Sequence, residues 1–364
     1  MRTLERITVT GYKSIKELRD FELGDLNVLI GANGAGKSNF LSVFKLLKAL
    51  ANNRLQLFVA QNGGAGYLLH FGGKNTEEIQ VGLTIENGSI ELFEYEFKLK
   101  SVISGELTLE SEKCLDRLRR EENQNWVSLG NGHKETKLSI QQAWWQGSIL
   151  AKLQKWIVYH FQDTTPEARV KQNPDIYDNH ELKSDGANLA SFLYLLKNHH
   201  QNYYDRILRT VKLAAPFIED FILNPMPENT QRIRLRWQHK NSEDDFDISQ
   251  LSDGTLRFIC LATLLLQPNP PSLIIIDEPE LGLHPYAITV LAGMLRSVST
   301  QTQIIISTQS VSLVNEFQPE DIIVVDRKND ASTFTRFTSE ELAVWLEDYS
   351  LGELWETNLI GGRP

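Results

Sequence analysis

Four stretches of this chain are apolar almost without a break and no longer than a strand, at residues 26–30, 273–276, 304–306 and 322–325. Runs of that kind mark strands covered on both faces, as in the parallel sheet of an α/β protein. Residues 39–50 behave differently: apolar side chains recur at 40, 41, 44, 47 and 50, the spacing of a helix. Strict alternation follows. Val81, Leu83 and Ile85, the pair Asn87-Gly88, then Phe93, Tyr95, Phe97 and Leu99 against Glu94, Glu96, Lys98 and Lys100 predict a hairpin with one buried face. Residues 156–163 read as a further strand ending in polar residues, Gln162 and Asp163. The stretches 184–196, opening at Ser184-Asp185-Gly186, and 203–213 are amphipathic and predict a compact helical lobe. No heptad pattern persists, so no coiled-coil arm is expected. Residues 232–237 alternate Arg232, Arg234 and Arg236 with apolar neighbours, which puts three guanidiniums on one face of a strand. Arg117, Arg119 and Arg120 run into Glu121 and Glu122 and read as the solvated face of a helix. Further on, Ser339 is placed to cap a helix carrying Leu342, Trp345 and Leu346 on one face.

Composition narrows the class. The 364 residues hold Lys+Arg 37 against Asp+Glu 47, a net charge of −10, with 41% hydrophobic residues. That apolar content excludes a disordered chain. No apolar run approaches the roughly 18 residues that would cross a bilayer, the longest being 258–266. Arg2, Glu5 and Arg6 interrupt any secretory leader, and Cys114 and Cys260 are too few for a disulfide framework or a four-ligand zinc site. A cytoplasmic protein is expected. The acidic balance argues against non-specific nucleic-acid binding and leaves a local basic face as the route to such a partner.

The apolar run 26–30 leads into Gly31-Ala32-Asn33-Gly34-Ala35-Gly36-Lys37-Ser38, the pattern GxxxxGKS, and the helical stretch follows. Strand, glycine loop, helix is the setting in which this pattern binds phosphate. Glycines fold the backbone tightly, so that the amides of Asn33, Gly34, Ala35, Gly36, Lys37, Ser38 and Asn39 can cradle the anion at a helix N-terminus. Lys37 is expected to reach the β- and γ-phosphates of ATP, and the Ser38 hydroxyl to ligate Mg²⁺. The run 273–276 ends in Asp277-Glu278-Pro279-Glu280. Acids directly after a buried parallel strand stand at its carboxyl end, where ligands of open α/β sheets bind. Asp277 is the expected Mg²⁺ partner, and Glu278 the group that orients and polarises the attacking water. Leu251-Ser252-Asp253-Gly254-Thr255 precedes an apolar helical stretch and offers amides and a hydroxyl to an anion at another helix start.

In this order the three motifs resemble those of the ABC-type ATPases, in the branch that holds the structural-maintenance-of-chromosomes (SMC), RecF and OLD (overcoming-lysogenization-defect) proteins. The opening Ile7 to Ile15, with Gly11-Tyr12-Lys13-Ser14, and the string Asp277-Glu278-Pro279-Glu280-Leu281-Gly282-Leu283-His284-Pro285 are similar to that branch. Residues 251–257, the string Ser307-Thr308-Gln309-Ser310, and Leu351-Gly352-Glu353-Leu354-Trp355 with Gly361-Gly362-Arg363-Pro364 resemble a stand-alone "predicted ATPase" group with an AAA-type label (AAA_21-like). The resemblance implies a P-loop NTPase, an α/β ABC-type head whose mixed sheet carries an antiparallel sub-sheet. Its core would lie at 1–54 and 246–330, with an insert at 55–245 and a tail at 331–364. It also implies a head-to-head homodimer, each ATP lying between the phosphate loop of one subunit and Ser252 and Gly254 of the other. Glu278 would act as base in hydrolysis. The resemblance points to a switch acting on a separate effector, such as a nuclease, in defence against foreign DNA; the tail is too short for the nuclease domain of OLD proteins. The competing class is a RecF-like repair protein that grips DNA. A transporter subunit fits less well.

Transporter-type relatives carry a histidine where Gln309 stands. A glutamine hydrogen-bonds the γ-phosphate or the water but carries no proton, so Gln309 is expected to sense nucleotide, with slow turnover. Asp253 replaces the middle glycine of the transporter signature and is expected to turn away or cap its helix. Gln162 has two readings: a Mg²⁺ ligand that couples nucleotide to the helical lobe, or a polar residue at a strand end. Tyr12 either stacks on adenine or packs beneath Lys13-Ser14. The three alternating arginines either face solvent or meet a phosphate backbone or partner. His160 has no second histidine at ligand spacing and reads as structural.

Overall fold

The computed structural model describes residues 3–88, 91–119, 125–140 and 143–363. Arg2, Arg120, Glu121, Glu122 and Pro364 lie outside them. β1 (Leu4–Tyr12) and β2 (Ile15–Glu22) form a hairpin, followed by β3 (Leu26–Ile30) and α1 (Lys37–Ala51). Two short helices, α2 (Leu55–Gln61) and α3 (Ala65–Leu68), precede β4 (Glu78–Asn87), β5 (Glu91–Ser101), β6 (Leu107–Leu118) and β7 (Val127–Gly130). Next come α4 (Trp144–Lys155), β8 (Ile157–Tyr159), α5 (Leu189–His199) and α6 (Gln201–Ala214). A second antiparallel group holds β9 (Ile218–Met226), β10 (Asn229–His239) and β11 (Asp245–Asp247). Helix and strand then alternate: α7 (Asp253–Leu266), β12 (Leu273–Asp277), α8 (Pro285–Ser299), β13 (Gln303–Ser307), α9 (Val311–Val314) and β14 (Ile322–Lys328). The last elements are β15 (Ala331–Arg336), α10 (Ser339–Leu346) and α11 (Leu351–Glu356).

The central sheet has the order β15-β14-β3-β13-β12-β8, parallel except for β15. Its side chains alternate between two cores. Val28, Ile30, Ile274, Ile276, Ile304 and Ile306 face the core built with α5 to α8. Leu29, Ile275, Ile305 and Ile323 face the other, built with α1 and the antiparallel sheet β2-β1-β4-β5-β6-β7. Both faces are therefore covered, which is why these strands read as unbroken apolar runs. Each such isoleucine contributes about 1.5–3 kcal/mol by burial, so the carboxyl ends of the strands are held on a stiff base. Strand β8 comes from within residues 55–245 and pairs with β12.

The hairpin at 81–99 forms as β4 and β5, with Val81 opposite Phe97 and Leu83 opposite Tyr95. Three local expectations shift. Arg117 lies in β6, not on a helix: its Nη2 sits 2.6 Å from Glu94 Oε1, and Arg119 Nη2 is 2.9 Å from both Glu5 and Glu86. Cross-strand carboxylates hold Arg117 and Arg119 against the sheet. The helix expected from Ser184 begins at Leu189, because Gly186 takes a left-handed φ of 70° and its carbonyl receives Leu189 N–H in a turn. Thr338, not Ser339, caps α10, since its hydroxyl accepts from Glu341 N–H while the Glu341 carboxylate reaches back. Arg232, Arg234 and Arg236 do share a strand, β10, and are engaged within the chain. Arg232 donates to Asn173 O, Arg234 lies 3.4 Å from Glu228 and Arg236 3.1 Å from Asp245. Among the described residues, no helix is long and apolar enough to cross a membrane.

Candidate functional site

Strands β3, β13 and β12 lie side by side and end at one level, with Ser307 opposite both Leu29 and Asp277. Three turns leave that edge: 31–36 after β3, 277–280 after β12 and 307–310 after β13. The first is shaped by close approach. A Cβ on Gly31 would meet Val325 O at 2.1 Å, and one on Gly36 would meet Ser332 Oγ at 2.0 Å. Gly36 ends the turn as the N-cap of α1, with no side-chain cap and no acid in the first turn, so the positive end of a 15-residue helix is left uncompensated. Ser332 Oγ donates to Ala35 O and shares a hydroxyl–hydroxyl bond with Ser14 Oγ, which also accepts from Asn39 Nδ2, 2.7 Å away. Asn33, Gly34 and Ser38 are exposed, and Asn39 is half-buried. No atom lies within 4 Å of a Cβ placed on Gly34, so the loop is open on that side.

The Lys37 side chain is buried and folds over the loop, its Nζ donating to Gly31 O and Ala32 O. Burial pulls its amine below the usual lysine value, opposed by the charges of Glu278, Asp277 and Glu280. A phosphate at the loop would restore the charged form. These features fit a polyphosphate with its cation: the cradle is open, an ammonium lies within it, and a hydroxyl and a carboxylate stand at its rim.

The other two turns are laced together. Ser307 Oγ donates to Asp277 Oδ1, and Glu278 N–H donates to Ser307 O at 3.0 Å. Glu278 itself sits at φ 48°, a left-handed conformation that costs a non-glycine residue energy and is kept only where the surroundings enforce it. Its Oε1 accepts from Gln309 Nε2 at 2.5 Å. Glu280, which motif reading passed over, is 8% exposed; its Oε1 accepts from Thr308 Oγ1 at 2.5 Å and from Gln309 N–H at 3.2 Å, while Oε2 has no partner among the described residues. Burial pushes this carboxyl above its usual value, and the Thr308 bond pulls it partly back. A folded-state value above the unfolded one means that stability contributed by the protonated form is lost as pH rises through the interval between them. Glu280→Gln is therefore expected to gain in melting temperature relative to wild type as pH rises above the ordinary carboxylate range. Glu280→Ala leaves Thr308 and Gln309 without an acceptor and is expected to lose about 1–3 kcal/mol, read by thermal denaturation.

Arg257 is the second residue that motif reading missed. From α7 it donates to Phe161 O at 3.2 Å, to Gln162 O at 2.8 Å and to Leu281 O at 2.9 Å. The backbone of Gln162 is thus fixed to the helix that follows Ser252. Ser252 caps α7, its Oγ accepting from Thr255 N–H at 3.2 Å, and Asp253 stands exposed in the first turn. A Cβ on Gly254 would meet Gly282 O at 2.1 Å, so this corner packs on the loop after Glu280. Neither Ser252 nor Gly254 hydrogen-bonds to residues 31–38 of the same chain among the described residues. Tyr12 is fully buried, with its hydroxyl 2.9 Å from Ser42 Oγ, and packs rather than stacks on a ligand. His160 is exposed, and the described residues hold no group of three or more His, Cys, Asp or Glu able to bind a metal ion.

A glycine loop on β3 facing paired acids on β12, with a polar turn on the strand between, is the layout of an ATPase-type domain of the P-loop class. The family follows from sequence: residues 26–315 match the model described as "AAA domain, putative AbiEii toxin, Type IV TA system", and the chain belongs to that family. No curated protein matches it. Among solved structures it is similar to an SMC head bound to the C-terminal winged-helix domain of ScpA, with TM-score 0.57, 15% identity, and 94% of this chain and 99% of that one covered. An SMC head with an extended coiled coil, bound to the C-terminal domain of ScpA from Pyrococcus furiosus, gives 0.56 at 15% identity, covering 96% and 99%. The SMC head of Thermotoga maritima gives 0.50 at 16%, covering 93% and 99%.

Proposed function

We propose that the chain is an ATP-hydrolysing switch in the cytoplasm. Two copies would close head to head around two ATP and control a separate effector protein in defence against foreign DNA. The observation that carries the reading is the convergence of Lys37, Asp277, Glu278 and Gln309 at the ends of three adjacent strands. A family named for a toxin of toxin–antitoxin systems agrees with a defensive role. An SMC head bound by a domain of another polypeptide offers a precedent of the same fold for partner control.

In this mechanism the amides of Asn33 to Asn39 hold the phosphates, and Lys37 leaves Gly31 O and Ala32 O to lie along them. Ser38 and Asp277 would hold Mg²⁺, with Gln162 as a further candidate; that ion neutralises charge on the transferred group. Glu278 takes a proton from the attacking water. With its Oε1 engaged by the Gln309 amide, the carboxylate is oriented but not free, so turnover waits for Gln309 to turn to the γ-phosphate. Ser252 and Gly254 of the partner subunit would complete the charge balance from across the interface. Among the described residues this corner makes no hydrogen bond to the chain's own phosphate loop, so hydrolysis in the reading calls on the second copy.

Light scattering with and without ATP and Mg²⁺ tests it. ATP-dependent dimers, lost in a variant carrying arginine at the exposed Ser252 (Ser252→Arg) with nucleotide binding intact, are expected. A variant that still dimerises and hydrolyses normally removes the closure.

A further inference from the structure

Residues 351–363 lie past the stretch that the family match covers, yet they touch two of the three site turns from behind. α11 packs on α9, which opens at Ser310, the residue after Gln309. Gly352 N–H donates to Asn315 Oδ1 at 2.7 Å, and a Cβ on Gly352 would meet Val311 Cγ1 at 2.5 Å. The buried indole of Trp355 donates from Nε1 to Gly362 O at 2.5 Å. The backbone returns through Asn358, Gly361 and Gly362, all with left-handed φ. Gly362 then rests on the base of the phosphate loop. A Cβ there would meet Val324 Cγ1 at 2.7 Å, Val325 O at 3.1 Å and Gly31 Cα at 3.4 Å.

A segment that only covered apolar surface would need Leu354 and the Trp355 ring but no glycine at either point of contact. Here both ends approach backbone or a packed side chain too closely for any other residue. We propose that residues 351–363 form a clip, with Gly352, Trp355 and Gly362 as positioning residues, that holds the phosphate loop and the Gln309 turn at a fixed separation. Its kinetic consequences rest on the ATPase reading; its mechanical one does not. A fixed separation matters because the γ-phosphate must meet Lys37 from one turn and Gln309 from the other, and small misplacements are costly.

The test uses the full chain and the variants Trp355→Phe, Gly362→Ala and Gly352→Ala. Hydrogen exchange without nucleotide comes first. Ala35 and Phe40 amides, bonded to Ala32 O and Gly36 O, and Leu313 and Val314 amides, bonded to Ser310 O, report the two turns. Trp355→Phe keeps an aromatic ring but removes the indole N–H and the buried five-membered ring that carries it; it is expected to speed exchange at both sets by about tenfold, with β12 and β13 unchanged. Faster exchange confined to residues 351–363 overturns the clip. In steady-state kinetics, Gly362→Ala is expected to raise KM for ATP by about ten- to a hundredfold, and Gly352→Ala to lower kcat with KM near wild type. Lower melting temperatures with KM and kcat unchanged would also overturn it. Wild-type protein that binds no ATP would defeat the ATPase reading, and the exchange data would still decide the clip.

Discussion

Lys37→Ala is expected to lose ATP binding by at least about a hundredfold while keeping its fold, as two charge-assisted bonds to phosphate oxygens are each worth about 1.5–3 kcal/mol. Two opposing effects govern the free protein. The substitution removes the donor that Gly31 O and Ala32 O share, but it also removes an amine whose burial disfavours its charge. Ala32 is half-buried and its carbonyl can turn to water, so the net change in stability should be small. The nucleotide gains nothing in return, because the amides of the loop alone cannot balance the β- and γ-phosphate charge. Titration calorimetry with ATP and Mg²⁺ measures the loss, and circular dichroism checks the fold. A variant that binds as tightly as wild type would mean that the amine stays on the loop carbonyls when nucleotide arrives, and Lys37 would have no part in binding.

The sequence displays the parts of this site that lie within a few consecutive residues. GxxxxGKS is legible because tight turn, phosphate amides and ammonium all fall on one loop, and Asp277-Glu278 because they end an apolar run that both layers cover. What it hides are bonds between distant turns. Gln309 is named by position, but nothing local shows that its amide meets Glu278. Glu280 looks like one more acid until Thr308 and Gln309 N–H are seen on its oxygen, and Ser332 reaches Ala35 from the far end of the chain. Arg257 is lost inside an apolar helix whose spacing says only that it is partly exposed. Where local chemistry competes with packing, packing decides: Tyr12 offers an aromatic ring beside the loop, and the fold closes it against Ser42.

Glu278→Gln should hold ATP in a closed dimer and lower kcat by about a hundred- to ten-thousandfold, the range that a general base contributes. The structure makes this a clean substitution. Residue 278 must adopt φ 48° and donate its N–H to Ser307 O, and glutamine does both as well as glutamate. Its amide oxygen still accepts from Gln309 Nε2, so the two turns stay laced and the nucleotide-free protein should melt within a degree or two of wild type. Only the capacity to take a proton from water is gone. In the proposed switch the γ-phosphate would then stay bridged between Lys37 of one copy and Ser252 of the other, and the dimer would have no route to open. Light scattering at saturating ATP and Mg²⁺ should therefore give twice the monomer mass for Glu278→Gln and a mixture for wild type. If Glu278→Gln turns over ATP at the wild-type rate, the base is another group, and the half-buried Asp277 is the first to test. If it stays monomeric with ATP bound, the exposed corner at Ser252 and Gly254 serves some contact other than a second nucleotide site.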